Sequence, residues 1–180
     1  MKLQPVESHE RMDMNKNELR KIDKSNLIHQ LIESLNLEFE TLIQAAERAH
    51  EAATHDESKA EDKYDTRGLE ASYLAGAQAQ RAIEIKKIIS SFKMLPTRPF
   101  SLMEPIDLGA LIELKLNQKS FFYLFANLGG GKTISFNEQV IQVLTPLSPL
   151  GEELIGKKVG ESVEIEAPNG VKEYLIIDIA

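Results

Sequence analysis

Apolar residues recur at helical spacing from residue 25 onward. They return every three or four positions, as expected for one face of a long amphipathic helix; the stripe comprises Ile28, Leu31, Leu35, Phe39, Leu42, Ala46, Ala49 and Ala53. The hydroxyl of Ser25 is suited to cap the start of this helix, because it can accept a hydrogen bond from a free backbone N–H. The pattern therefore predicts a first helical arm that begins at Ser25.

A second helical arm is predicted from about Lys59 to Met94. Its apolar stripe is rougher and comprises Leu74, Ala77 or Gln78, Arg81 or Ala82, Ile85, Ile88 and Phe92. An arm of about 30 residues would be about 45 Å long, and Pro96 and Pro99 end the second one. Two long arms without a third helical partner predict an antiparallel coiled-coil hairpin over residues 25–95, followed by a linker over 96–104.

Small side chains accumulate towards the turn between the two arms. The first arm contributes Ala45, Ala46, Ala49, Ala52 and Ala53, and the second contributes Gly68, Ala71, Ala75, Gly76 and Ala77. Small residues at a helix interface allow a close approach of the helix axes, so we expect the hairpin to taper. The alternative is that alanine serves here only as a helix former, but this does not explain two glycines that each cost about 1 kcal/mol in a helix.

The hydrophobic period changes after Pro105 and becomes typical of strands. Short strands are predicted at 108–116, 120–126, 132–136, 140–145, 162–167 and 171–179, with hairpin signals at Gly129-Gly130-Gly131 and Asn169-Gly170. Between the fourth and fifth strands, Ser148 as N-cap, Pro149 at the first helical position and Gly156 after the end predict a short helix. The fold class is thus α+β: a helical hairpin followed by a small antiparallel sheet domain with one short helix over residues 105–180.

Composition and charge exclude several classes of function. The formal net charge is −7, which argues against nonspecific binding of nucleic acid, and we expect no independent sequence-specific DNA binding. The chain contains no cysteine, so it has no disulfide framework and no thiol nucleophile. No apolar run reaches the roughly 20 residues that span a bilayer, and no secretory signal is visible. We therefore expect a cytoplasmic protein without a membrane partner, with a flexible N-terminal tail over residues 1–24.

Two segments carry candidate chemistry. Gly129-Gly130-Gly131-Lys132-Thr133 suggests a phosphate-binding loop, but Ala126 replaces its first glycine and a strand pattern replaces the helix that must follow. The acidic turn over residues 55–65 is the stronger candidate, because it places Asp56, Glu57 and Glu61 at the end of the hairpin. Such acids also favour a helix start, and Ser58 with Glu61 fits a capping box. Neighbouring carboxylates can nevertheless hold Mg²⁺, which prefers oxygen ligands.

The C-terminal part of the sequence resembles a known family. Thr145-Pro146-Leu147-Ser148-Pro149-Leu150-Gly151, then Leu154-Ile155-Gly156-Lys157 and Ala167-Pro168-Asn169-Gly170, are similar in order and spacing to the C-terminal domain of bacterial Gre transcript-cleavage factors. The order of parts also resembles that family, in which a coiled-coil hairpin precedes an FKBP-like domain. The resemblance covers residues 105–180 closely and the hairpin mainly in its architecture.

This resemblance implies a transcription elongation factor that binds RNA polymerase. In the family, the C-terminal domain docks at the rim of the polymerase secondary channel, which here points to Ser148, Pro149, Leu150 and Gly151. The hairpin tip enters the channel, and its acids help to hold a second Mg²⁺ at the polymerase active site near the nascent RNA. The factor would then be a protein cofactor of the polymerase and no enzyme by itself, with no intrinsic cofactor.

The tip departs from the family pattern at one position. Cleavage-competent factors carry an Asp, two further residues and a Glu shortly before a Tyr. Alignment on His55 and Tyr64 places Glu57 at the Asp position but Ala60 at the Glu position. Glu61 follows one residue later, about 100° further around a helix. The resemblance therefore leaves two alternatives open, namely stimulation of RNA cleavage and regulation of the polymerase without cleavage.

Two hypotheses from other classes compete with this interpretation. An FKBP-like domain suggests a peptidyl-prolyl isomerase, but fold does not determine function. The sequence also lacks a Trp that could form the floor of a proline-binding pocket. The chain could also be a coiled-coil adaptor unrelated to polymerase. Binding to core RNA polymerase would separate this adaptor from the elongation factor.

Overall fold

The structure is a computed structural model that describes residues 19–54, 66–168 and 170–180. These residues belong to two compact units: residues 29–93 form one, and the remaining residues before 29 and after 93 form the other. The unit of residues 29–93 contains helix α1 (Lys24–Thr54) from residue 29 onward and the whole of helix α2 (Arg67–Lys93). The second contains a sheet and helix α3 (Pro149–Leu154).

Helices α1 and α2 form the predicted antiparallel hairpin. They are 31 and 27 residues long, close to the length expected. The Arg81 guanidinium lies 3.8 Å from a carboxylate oxygen of Glu38, and the two residues are similarly far from the helix ends that adjoin the connecting segment. This is the register of two antiparallel helices joined at that end.

The stripe predicted for α1 is confirmed, because its members are all buried or half-buried. The stripe predicted for α2 is partly wrong. Leu74, Gly76 and Ala77 are exposed, whereas Ala71 and Ala75 are half-buried, in helical phase with the buried Ala82 and Ile85. The inward face is thus lined by small residues in the tip half, and it passes through Ala75 and not through Leu74.

The exposure of Gly76 leads to a first prediction. A Cβ added at this position would meet no atom within 4 Å, so alanine can replace it without a clash. Because glycine costs about 1 kcal/mol relative to alanine inside a helix, Gly76→Ala should raise the free energy of unfolding by about 0.5–1 kcal/mol, measured by urea denaturation. A loss of stability would instead mean that Gly76 faces α1, as the sequence suggested.

Both helix starts differ from those predicted. The Asp23 carboxylate accepts hydrogen bonds from the backbone N–H groups of Ser25 and Asn26 at 3.0 and 3.2 Å, so Asp23 and not Ser25 caps α1. Helix α2 begins at Arg67, later than the predicted Lys59, and Thr66 before it donates a hydrogen bond to Glu70 at 2.7 Å. The capping box at Ser58 lies outside the described residues.

The segment before α1 is folded from Leu19 onward. Leu19–Lys21 form a short 3₁₀ helix with Leu19 fully buried. The Arg20 guanidinium donates to Asp178 Oδ1 at 3.0 Å and to the Ile179 carbonyl at 2.9 Å. Residues 19–23 are therefore fixed to the last strand of the sheet, although we predicted a flexible tail up to residue 24; residues 1–18 lie outside the described residues.

The sheet of the described chain has six strands. These are β1 (Leu111–Leu116), β2 (Lys119–Phe125), β3 (Thr133–Phe136), β4 (Gln139–Leu144), β5 (Ser162–Ala167) and β6 (Gly170–Ile179), in the spatial order β3-β4-β2-β1-β6-β5. One face packs with α3 into the main hydrophobic core, which includes Ile112, Phe125, Leu154 and Ile176. The α+β class, the six strands and the short helix are confirmed.

The pairing of the strands differs from the prediction at one place. Strand β4 lies between β2 and β3 and runs parallel to β2, so the sheet is mixed and not purely antiparallel. Gly129–Gly131 therefore does not connect a hairpin. The hairpin in this region joins β3 to β4 through Asn137 and Glu138, both with positive φ, as in a type I′ turn. The hairpin predicted at Asn169-Gly170 is confirmed, because β5 and β6 pair antiparallel from Ala167 and Gly170.

Candidate docking surface

The segment from Thr145 to Gly151 forms a turn that is fixed by side-chain hydrogen bonds. Ser148 has extended backbone angles (φ −84°, ψ 150°) and caps α3, with Pro149 at the helix start. Its hydroxyl donates to the Thr145 carbonyl at 2.8 Å and accepts from the Gly151 N–H at 3.1 Å. A single side chain thus connects the end of β4 to the first turn of α3, as the Ser-Pro pair predicted.

Gly151 allows α3 to approach this turn closely. A Cβ at position 151 would lie 1.9 Å from the Thr145 carbonyl oxygen and 2.9 Å from the Ser148 hydroxyl oxygen. Neither distance is possible between real atoms, so only glycine fits. The other end of α3 is fixed by backbone hydrogen bonds in both directions between Ile106 and residues 156–157.

The four docking residues predicted from the sequence lie together but differ in exposure. Gly151 is buried, Ser148 is half-buried, and Leu150 packs partly against the core. Pro149 is exposed. Ser148, Leu150 and Gly151 therefore shape the turn, and Pro149 is the member of the four that is fully presented to solvent.

Sequence reasoning missed the most exposed apolar residue of this turn. Leu147, between Pro146 and Ser148, has 91% of its surface exposed. The sequence did contain a signal. Leu147 is a large apolar residue between Pro146 and the Ser148-Pro149 pair, where no helix or strand is available to bury it. We define the docking turn as residues 145–151, with Leu147 and Pro149 as its exposed side chains.

The charges beside the docking turn are mixed. Glu152 and Glu153 on α3 are exposed, and the Lys157 ammonium lies 3.6 Å from a Glu161 carboxylate oxygen. Ile155 at the end of α3 is also about half exposed. The turn thus offers an apolar projection with a polar rim, an arrangement typical of the centre of a protein–protein interface.

The acidic tip lies outside the described residues. Asp56, Glu57 and Glu61, predicted to act at the tip, fall in the segment 55–65 between α1 and α2. Within the described ranges, no three His, Asp or Glu side chains are close enough together to hold a metal ion. The described helices also include none that is long and apolar enough to cross a membrane.

Comparisons with known proteins match the sheet domain most directly. Residues 132–180, which include the docking turn, match the family described as transcription elongation factor, GreA/GreB, C-terminal. Elongation factor GreA of Thermotoga maritima is 29% identical over 111 residues, which cover 58% of this chain and 63% of that protein. GreA of Thermosipho melanesiensis is 29% identical over 156 residues, which cover 80% of this chain and 85% of the relative.

Solved structures of related factors also align along the chain. The crystal structure of Thermus aquaticus Gfh1 covers 84% of this chain at 23% identity, with a TM-score of 0.35. A GreA/GreB factor from Nitrosomonas europaea covers 49% of this chain at 15% identity, with a TM-score of 0.30. TM-scores this low do not establish a shared overall arrangement, so the assignment depends on the sequence matches. By those matches, this chain is similar to Gre-type transcription elongation factors, most directly over residues 132–180.

Proposed function

We propose that this protein binds RNA polymerase through the docking turn and regulates transcript elongation. The hairpin would carry the acidic segment 55–65 into the secondary channel of the polymerase. The observation that carries the proposal is the pre-formed docking turn, which presents Leu147 within the part of the chain that matches the GreA/GreB domain. A turn that is already rigid loses little conformational entropy on binding, and an exposed apolar side chain can anchor an interface.

The tip would act inside the active site of the polymerase. Asp56 and Glu57 are the proposed ligands for a Mg²⁺ ion shared with the polymerase, because carboxylate oxygens are the ligands that this ion prefers. A second metal ion in such a site activates water and stabilises the leaving oxygen during hydrolysis of RNA. The protein would contribute carboxylates and their position, while the polymerase would supply the reaction centre and the backtracked RNA.

Regulation without cleavage is a second candidate, and Ala60 is the observation that favours it. An RNA cleavage assay on a stalled, backtracked elongation complex separates the two candidates. Mg²⁺-dependent cleavage that disappears when Asp56, Glu57 and Glu61 are all changed to their amides would establish the first. Cleavage that survives the triple change would disprove the role of the tip, and polymerase binding without cleavage would establish the second.

The docking turn makes a separate prediction. Because Leu147 is almost fully exposed, Leu147→Ser should change the free energy of unfolding by no more than about 0.5 kcal/mol. It should nevertheless weaken binding to core RNA polymerase at least about tenfold, since truncation of a central anchor typically costs this much or more. Biolayer interferometry with immobilised full-length protein measures the change.

Val171→Ser is the matched control. Val171 is also a large exposed apolar residue of the sheet domain, with 63% of its surface accessible, but it lies on β6, away in sequence from the docking turn. The Val171→Ser variant should bind polymerase with the same affinity as the wild type. Equal losses in both variants would show that the turn is not the docking site, and no binding by the wild type would reject the proposed function and favour an adaptor.

A further inference from the structure

Two carboxylates flank the docking turn on the same side as its exposed proline. Glu152 and Glu153 come three and four residues after Pro149 in α3, so both lie beside Pro149 on the helix surface. All three residues are exposed. Leu147, with 91% of its surface exposed, comes two residues before Pro149. The apolar projection of the docking turn therefore has two negative charges at its edge.

These two charges are not compensated within the described protein. In the parts of the chain that the structure describes, no hydrogen bond or ion pair reaches the carboxylate group of Glu152 or Glu153. Glu152 lies in the first turn of α3, where the helix dipole favours an acidic side chain. That effect falls off beyond the first turn, so it does not account for Glu153. The pair of acids is thus available to interact with a charged partner.

The basic residues near α3 lie beyond its end or on the other face of the sheet. Lys157 and Lys158 follow the helix, and the Lys157 ammonium group already has a carboxylate oxygen 3.6 Å away. The carbonyl of Lys132 accepts a hydrogen bond from the N–H of Val143. Val143 alternates along β4 with Leu144, which lies in the core on the α3 side, so Lys132 belongs to the opposite face. Helix α3 itself contains two acids and no base.

We propose that the partner surface that receives the docking turn is an apolar pocket with a rim of Lys or Arg side chains, which Glu152 and Glu153 recognise. This inference rests on the proposed function, in which that partner is RNA polymerase. Docking through Leu147 and Pro149 brings both carboxylates to the edge of the contact. A carboxylate that loses water without gaining a cation destabilises the complex, whereas opposite charges across an interface steer the encounter and disfavour wrong partners.

The test is the double variant Glu152→Gln with Glu153→Gln, which removes both charges and nearly keeps the size and helix propensity of the side chains. We expect about fivefold slower association of the full-length protein with core RNA polymerase at about 0.1 M salt, with little change in dissociation. At about 1 M salt the Debye length is only about 3 Å, so the difference from the wild type should disappear. An unchanged midpoint of urea denaturation shows that the variant is folded.

Glu164→Gln with Glu173→Gln is the matched control, because it removes the same charge from another part of the sheet domain. Both glutamates are exposed and lie opposite each other on β5 and β6. Glu164 alternates with Val163, which is buried in the core on the α3 side, so the control pair lies on the other face of the sheet. The control should associate at the wild-type rate. Equal slowing in both double variants would mean that only net charge matters, and would overturn the inference.

The remaining outcomes separate this inference from the proposed function. If the wild type binds polymerase and the Glu152/Glu153 variant associates at the same rate, the partner has no basic rim, although the proposed function stands. Faster association of this variant would indicate an acidic rim and would also overturn the inference. If the wild type does not bind polymerase at all, the proposed function fails, and the inference fails with it.

Discussion

Replacement of Gly151 by alanine is expected to destabilise the sheet domain by about 3 kcal/mol, the upper part of the range for overpacking a close contact. The added Cβ would lie 1.9 Å from the carbonyl oxygen of Thr145 and 2.7 Å from its carbonyl carbon. Both are backbone atoms, so no side-chain rotation relieves the clash. Helix α3 would have to move away from the end of β4, which also separates the buried Leu154 from the core.

The same change should also abolish the proposed binding to polymerase, because the docking turn depends on the contact between Gly151 and Thr145. Urea denaturation of the full chain measures the stability, and binding is measured under conditions in which the variant is still folded. Gly130→Ala is the matched control, since its Cβ would meet the side chain of the same Thr145 at 3.2 Å, where a small rotation relieves the contact. If Gly151→Ala were as stable as Gly130→Ala, the close packing of α3 on the turn would be disproved.

The contrast between α3 and the sheet shows which parts of the fold the sequence determines locally. The start of α3 was predicted to the residue, because the Ser148 cap and Pro149 act within one turn of chain. The position of β4 between β2 and β3 was not predicted. Gly129–Gly131 indicates a turn but carries no information about which strand the chain pairs with after it. Strand order depends on which side chains share a core, and this is a long-range property.

The helical hairpin illustrates the same limit in a different way. The phase of α1 was clear because Leu31 and Leu35 are large and buried. In α2 the inward residues of the tip half include Ala71 and Ala75, and the larger Leu74 lies outside. Hydrophobic periodicity gives weight to large side chains, so it selects the wrong face wherever close helix packing requires small ones. That error placed Leu74 on the inward face, whereas about half of its surface is exposed.

The burial of Lys24 could not be predicted from local pattern at all. Its ammonium group donates hydrogen bonds to the backbone carbonyls of Gly109 at 3.2 Å and Ala180 at 3.0 Å, and also to that of Arg98. It lies 4.9 Å from the ring centre of Phe100. These acceptors come from three distant parts of the sequence. From local sequence alone, a lysine at a helix start is therefore predicted to be an exposed charge.

Replacement of Lys24 by methionine is therefore expected to lower the free energy of unfolding by about 2 kcal/mol at neutral pH. Methionine retains the apolar stem but leaves buried carbonyl groups without the donor that Lys24 supplies, and each such group costs about 1–3 kcal/mol. Relief from burying a charge offsets part of this loss. Lys21→Met is the control, because Lys21 is exposed in the same segment and should change stability by no more than about 0.5 kcal/mol.

The pH dependence of this difference tests the state of the ammonium group. Burial, with the nearby Arg98 guanidinium, lowers the pKa of Lys24 from 10.5 to about 8 in the folded protein, whereas an unfolded lysine titrates near 10.4. Between these values the unfolded chain binds more protons, so the contribution of Lys24 to stability should increase as the pH rises from about 8 towards 10. Burial raises the pKa of Tyr123 as well, but that group is present in both proteins and cancels in their difference. The stability difference between wild type and Lys24→Met should therefore be larger at pH 9.5 than at pH 7.5. Urea denaturation at both pH values measures it. A constant difference would mean that Lys24 keeps its proton throughout this range, held by the three carbonyl groups.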